Sequence, residues 1–259
     1  MAEFNVYDEK FKQEKIKSFD LLFFKGSDFV SNLITYIQQK HHDDKIFYED
    51  KKKKQILKKW SNDPGEYTHV GMVLKNDILK DDTLDDDDVY VWESTMSGPL
   101  NDGVKNVRGH SYFGVQLRSL EELVKIYYNP GNTKISIASL MPYYRNIINE
   151  NSPRVIDQFI ILFNQTTDKV RYDANVYSLF SAIIPCLRGN RRKIIEKFFD
   201  TEDWYFCSEL AAEAYLTLGI LDREIVNPKN VLPMDFLGFD KDDVIPILFQ
   251  PLEIIIPLF

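Results

Sequence analysis

Two short apolar runs separated by a block of aspartates constrain this chain more than anything else in it. Tyr67 to Leu74 is apolar and partly β-branched, Val89 to Glu93 is apolar again, and the acidic stretch Asp81 to Asp88 lies between them. Apolar, β-branched runs of this length bounded by polar residues are strands, and two of them joined by a solvated stretch form an antiparallel hairpin. The chain is therefore expected to be built around a sheet, with His69 on one strand of the hairpin and Glu93 on the other.

The remaining elements obey the same rules. Phe19 to Phe24 is a short apolar run; Gly26-Ser27-Asp28 comes after it, and then Phe29, Leu33, Ile34 and Ile37 at helical spacing, which predicts strand, turn and helix. Residues 41–66 turn strongly polar, carry Lys51 to Lys54 and Lys58-Lys59, and end in Asn62-Asp63-Pro64-Gly65, as a surface insertion with one helix would. Leu117 to Tyr127 reads as a helix and Lys134 to Leu140 as a strand. Helical patterns run from Pro153 to about Asn164, from Ala174 to Ile184 and from Ser208 to Leu218. Val244 to Phe259 is apolar with prolines at 246, 251 and 257, which suits an edge strand or an extended arm.

At 259 residues with 44% apolar side chains, the chain has enough material for one core. We expect a single α+β domain, 1–259, with insertions at about 41–66 and 80–88 and an apolar C-terminal arm at 244–259. The two insertions flank the histidine strand, so both are expected to shape or cover a site there. The formal charge of -8 supplies no positive field for phosphates, which sets nucleic acid aside. Met1 to Lys10 lacks a basic segment followed by an apolar one, and no stretch reaches the roughly 18 apolar residues of a membrane span. A soluble, cytoplasmic protein is expected.

Two cysteines cannot form a disulfide framework, so each needs its own account. Cys207 sits in Trp204-Tyr205-Phe206-Cys207-Ser208-Glu209-Leu210, where an aromatic extended segment runs into a strong helix. Unsatisfied N–H groups and the positive end of the helix dipole favour thiolate at such a point. The alternative is a small buried apolar side chain, as free cysteines often are. Cys186, in Ile183-Ile184-Pro185-Cys186-Leu187, has no helix start behind it and reads as structural.

A thiol needs a base, and His69 lies on a predicted strand beside Gly71, where a second backbone or a substrate can come close. His110 is the reserve candidate, while His41 and His42 lie beside Asp43 and Asp44 in the polar insertion. Glu93 lies on the strand paired with that of His69 and can accept its second ring N–H; otherwise it is a glutamate on a solvent face.

Thr68-His69-Val70-Gly71, Trp92-Glu93-Ser94, Gly114-Val115, Arg171-Tyr172-Asp173 and Cys207-Ser208-Glu209-Leu210 occur in an order that resembles the circularly permuted papain-like branch of the NlpC/P60 superfamily. That branch includes bacterial permuted amidase-like proteins, a poxvirus group and, more distantly, lecithin:retinol acyltransferase. Phe19-Asp20-Leu21-Leu22 resembles the opening Gly-Asp strand of the family, with Phe in place of Gly, and residues 230–236 resemble the segment after its cysteine helix. The resemblance implies a permuted papain-like fold, an antiparallel sheet packed against helices that include the one starting at Cys207. It implies Cys207 as nucleophile, His69 as base and later acid, and Glu93 as the group that orients the histidine. Tyr172 would place its hydroxyl near the substrate carbonyl beside the backbone N–H of Cys207, or else is a packed aromatic capping a loop; Asp173 would cap the helix after it.

The resemblance further implies a cysteine-dependent hydrolase that opens an amide or ester bond through a thioester, with no metal or organic cofactor. Its substrate would be a small molecule, a peptide or a lipid acyl group. An acyltransferase of the lecithin:retinol acyltransferase type and an inactive peptide- or lipid-binding module are the alternatives. Peripheral membrane contact would draw on the basic segment 51–59 and the apolar arm 244–259. The poxvirus kinship extends the expected compartment to host cytoplasm or virion.

Overall fold

The computed structural model describes residues 3–7, 9–25, 67–95, 106–109, 114–127, 135–169, 205–237, 245–246, 248–250 and 252–257. In chain order the elements are β1 (Glu3–Tyr7), α1 (Glu9–Glu14), β2 (Leu21–Phe24), β3 (His69–Lys75), α2 (Asn76–Leu79), β4 (Val89–Thr95), β5 (Asn106–Gly109), β6 (Gly114–Ser119), α3 (Leu120–Tyr127), β7 (Ile135–Ala138), α4 (Pro142–Asn151), α5 (Arg154–Lys169), α6 (Cys207–Thr217) and β8 (Glu253–Pro257). Two short 3-10 turns, Pro228–Asn230 and Pro233–Leu237, come after α6. The fold is α+β.

The strands form one sheet in the order β1-β8-β7-β2-β3-β4-β6-β5, antiparallel throughout except for the β1 and β8 pair. Side chains alternate across a strand, so each strand feeds two layers. Leu21, Phe23, Val70, Met72, Trp92 and Leu117 face one core together with Phe159 of α5 and Leu210 and Tyr215 of α6. Leu22, Phe24, Val73, Val91 and Ile137 face a second core that Phe11 of α1 and Leu123 of α3 complete. With helices on both sides, β2 is buried at every position, which is why its run of four apolar residues shows no alternation.

The hairpin is as expected: β3 and β4 pair from Lys75↔Val89 to Met72↔Trp92. Trp92 is fully buried, packs edge-on against Phe159 with centroids 5.6 Å apart, and donates from Nε1 to Thr167 Oγ1 at 3.0 Å. Phe19 holds a φ of 72°, the left-handed region that favours glycine, at the position where the resemblance has Gly. Its N–H donates to Val73 O at 2.8 Å, its carbonyl accepts from Tyr215 Oη at 2.8 Å, and its ring meets Phe159 edge-on at 5.2 Å. Those contacts over-determine a backbone that phenylalanine alone would avoid.

Two expectations are corrected and one element is added. Residues 117–119 belong to strand β6, and the helix begins only at Leu120, because Val115 and Leu117 alternate with Gln116 and Arg118 against β4. A helix over Pro142–Asn151 precedes the one that starts after Pro153. The C-terminal arm is not an edge: β8 lies between β1 and β7, and Ile245, Leu248, Phe249 and Leu252 ahead of it are buried. Met141 N–H donates to Leu248 O and Gln250 N–H to Ser139 O, which draws the segment onto the end of β7, while Pro257 lies past the β7 ladder, where a missing donor costs no bond on that side. Insertion 41–66, the helix predicted after Ser27 and Asp28, and the one at 174–184 lie outside the described residues. Among the described residues no helix is long and apolar enough to cross a membrane.

Candidate active site

The site forms where two strands part. The β3 and β4 ladder stops at Met72↔Trp92, while His69 to Gly71 continue along β2 and Glu93 to Thr95 continue along β6. The start of α6 meets this fork. Ser94 Oγ donates to Tyr205 O at 2.5 Å, just before Phe206, whose extended backbone (φ -78°, ψ 161°) caps the helix. The first helical bond, Leu210 N–H to Phe206 O at 2.9 Å, fixes Cys207 at the first helical position. Phe206 has no polar side chain to cap the turn, so the reverse half of a capping box serves: Glu209 Oε2 accepts Phe206 N–H at 3.3 Å. Burial pushes the Glu209 carboxyl up to about 7, against the stabilising Phe206 N–H.

Strand alternation explains the motif Trp92-Glu93-Ser94. Trp92 faces the α5 core, Glu93 faces the opposite layer, and Ser94 ties the helix approach down. On the opposite layer, Glu93 Oε2 lies 2.6 Å from His69 Nε2. Glu93 is 2% exposed, so it does not sit on a solvent face. The neighbouring Gly71 is required: a Cβ there would stand 2.5 Å from Val91 Cγ1 and 3.2 Å from Glu93 Cβ. His69 itself remains 25% exposed and stacks obliquely on Phe24, centroids 5.5 Å apart.

With Nε2 committed to Glu93, Nδ1 is the ring nitrogen left for Cys207, which hydrogen-bonds to His69 and also receives the N–H groups of Val70 and Ser208. The Val70 N–H can turn to the thiol because the ladder to β4 has ended. Burial alone would raise the thiol, but His69 and those two N–H donors outweigh it and pull Cys207 below its ordinary value. Burial would lower His69, and Cys207 together with Glu93 overrides that and pushes it up to about 10. Glu93 is held below the usual carboxylate range by His69 and Arg118 despite its burial. All three directions favour one charge distribution: thiolate, imidazolium and carboxylate in a line.

The structure brings Cys207, His69 and Glu93 together. Tyr172, Asp173, Cys186, His41, His42 and His110 lie outside the described residues. Residues 230–236 pack on the start of α6, with Ser208 Oγ donating to Val231 O at 2.6 Å and Leu232 N–H donating to Asp235 Oδ2 at 2.7 Å. Sequence reading missed Arg118, which is 1% exposed and donates from Nη1 to Glu93 Oε1 at 3.0 Å. The alternation Val115-Gln116-Leu117-Arg118 was the signal that could have placed it on the Glu93 face. The acidic run does not cover the site: it joins the far ends of β3 and β4, roughly 20 Å along β3 from His69 at about 3.3 Å per residue. Among the described residues no cluster of three or more His, Cys, Asp or Glu side chains is placed to hold a metal ion. No known family model matches the chain, and no curated protein matches it in sequence.

Proposed function

We propose that the chain is a cysteine-dependent acyl-transfer enzyme of the permuted papain-like, NlpC/P60 type, which opens an amide or ester bond through a thioester. The observation that carries this is the hydrogen-bonded line from Cys207 through His69 to Glu93, with the thiol at the first position of a helix. A merely packed cysteine has no need of a partly exposed imidazole whose other nitrogen is fixed by a buried carboxylate. The chain order of histidine, glutamate and cysteine, and the sheet-plus-helix arrangement that joins them, also suit the permuted fold.

In this reading the Cys207 thiolate attacks the carbonyl carbon, forming a C–S bond and a tetrahedral oxyanion. The oxyanion would be met by the backbone N–H of Cys207 and, by resemblance, by the hydroxyl of Tyr172. Protonated His69 delivers its Nδ1 proton to the leaving nitrogen or oxygen as the C–N or C–O bond breaks. Neutral His69 then takes a proton from water, or from an amine or alcohol acceptor, as that group attacks the thioester and expels the thiolate. Glu93 stays ionised throughout and steadies the imidazolium. The substrate class is a peptide or amino-acid amide, or a lipid acyl group.

The test is limited alkylation of the folded protein between about pH 5 and 9, with Cys207 and Cys186 followed separately by mass spectrometry in the wild type and in His69→Ala. Rapid labelling of Cys207 well below its ordinary pKa, lost in the variant, is the expected result. An ordinary thiol profile that ignores His69 would overturn the proposal and favour a binding module.

A further inference from the structure

The face that carries Glu93 also buries an arginine, for which the acyl-transfer scheme has no use. Arg118 lies on β6, where Glu93 is paired with Gln116, so Arg118 is its diagonal neighbour on the same face. The carboxylate is divided between two partners: Oε1 accepts from Arg118 at 3.0 Å and Oε2 faces His69 Nε2 at 2.6 Å. Each oxygen is thereby committed, and rotation of the carboxylate would break both bonds at once. Both Arg118 and Glu93 are nearly inaccessible, at 1% and 2% of their side-chain surface, so water offers no substitute for either partner.

We propose that Arg118 is a positioning residue of this site: it pins the Glu93 carboxylate on His69, so that Nε2 keeps its proton and Nδ1 is presented to Cys207. The purpose of that arrangement rests on Cys207 being a nucleophile, whereas the arrangement itself does not.

The protonation state of Glu93 is the link. The charged groups acting on it are His69 from β3 and Arg118 from β6, with Cys207 of α6 acting in turn on His69. A guanidinium stays protonated at any ordinary pH, so it is a permanent counter-charge. Without it, a buried carboxylate facing a single imidazole takes up a proton far more readily. The Nε2 proton then lies on Glu93, and the neutral imidazole that remains, protonated at Nδ1, supplies no positive charge to hold the Cys207 thiolate. Arg118 thus selects the tautomer through Glu93, without touching the imidazole.

The test uses the full chain with Arg118→Met, Arg118→Lys and Glu93→Gln, alone and with Arg118→Met. The first readout is the ring-nitrogen NMR spectrum of His69. The Nε2–H signal should be present in wild type and Arg118→Lys and lost in Arg118→Met. The second is the pH profile of Cys207 alkylation. Its acid limb should move up by about one unit in Arg118→Met, roughly tenfold slower labelling at the foot of the curve, with most of the loss recovered by lysine. In the Glu93→Gln background, Arg118→Met should change nothing further. Wild-type His69 signals in folded Arg118→Met would overturn the proposal, as would an additional loss in the double variant, since either means that Arg118 does not act through Glu93. Because the double variant removes both members of the Arg118–Glu93 ion pair, it decides the matter even where Arg118→Met fails to fold. Alkylation that ignores His69 in otherwise wild-type protein would remove the nucleophile, while the His69 NMR signals would still report whether Arg118 sets the tautomer.

Discussion

The two ends of the β3 and β4 pair carry acidic groups in opposite circumstances. At the open end Glu93 is buried between His69 and Arg118 and is held ionised. At the closed end Asp20 is equally buried, fully enclosed beside Val73, whose N–H donates to Asp20 O at 2.8 Å. Asp20 accepts Leu140 N–H at 2.8 Å and Lys17 N–H at 2.9 Å, and it also pairs with Arg145. Burial nevertheless pushes Asp20 up to about 6, against Arg145 and both donors. The difference lies in the cations. Arg118 is 1% exposed and His69 adds a second positive charge, whereas the side chain of Arg145 is 20% exposed and water screens it. Glu93 is kept ionised by two cations in direct contact, one on each oxygen and one of them as buried as the carboxylate itself, and only the open end supplies such a pair.

Removing Glu93 undoes this contrast at its root. Glu93→Ala leaves Arg118 buried without that counter-charge and frees the second nitrogen of His69. We expect a loss of about 3–5 kcal/mol in urea unfolding, together with loss of Cys207 alkylation at low pH. A variant that unfolds like wild type would mean that water or another group already neutralises Arg118.

The closed end is tested by pH, and the sign is set by the direction of the shift. The folded pKa of Asp20, about 6, lies above its unfolded value near 3.8, so the fold binds that proton more tightly than the unfolded chain does. Its contribution is fully present below the unfolded value and is lost as the pH rises through about 6. The stability of wild type relative to Asp20→Asn should therefore fall between about pH 4 and 7, by up to about 3 kcal/mol for a shift of about two units. A difference that stays flat would show that Arg145 and the two N–H donors hold Asp20 at an ordinary carboxylate value. Cys207 labelling should be the same in both proteins.

The open end was largely legible in the sequence. Period-two apolar runs set the faces of β3 and β4, and the aromatic segment ahead of Ser208-Glu209-Leu210 marked the start of α6, so the three residues could be named before their geometry was known. Arg118 was hidden because Leu117, Leu120 and Val124 also fit a helical spacing, and only pairing with β4 decides between the two periods. The β1 and β8 pair was hidden for another reason: it joins opposite ends of the chain, and no local pattern in Glu3–Tyr7 announces a partner at Glu253–Pro257. Prolines near the C-terminus pointed to an edge, yet Pro257 sits where the ladder to β7 has already ended. The left-handed Phe19 could be noticed only as a departure from glycine, since the contacts that hold it come from Val73, Phe159 and Tyr215.

The smallest effect belongs to the feature that looked most conspicuous in the sequence. The aspartates at the closed end bond mainly to their own loop: Asp81 accepts from Thr83 N–H at 2.9 Å, Asp87 N–H donates to Asp85 at 2.9 Å, and Asp86 accepts from Asn76 at 2.6 Å. Asp88 reaches furthest, to Lys12 Nζ at 3.1 Å, with 37% of its side chain exposed. Lys12 is buried but Asp88 is open to water, which screens the pair from one side, so Asp88→Ala should lower the unfolding midpoint less than Glu93→Ala does. It should leave the alkylation profile of Cys207 unchanged, because the paired residues Met72 to Lys75 separate the loop from the fork. A change in labelling beyond about threefold, roughly 0.7 kcal/mol, would show that the loop and the fork are coupled through β3, and would mean that burial is not what separates the two ends.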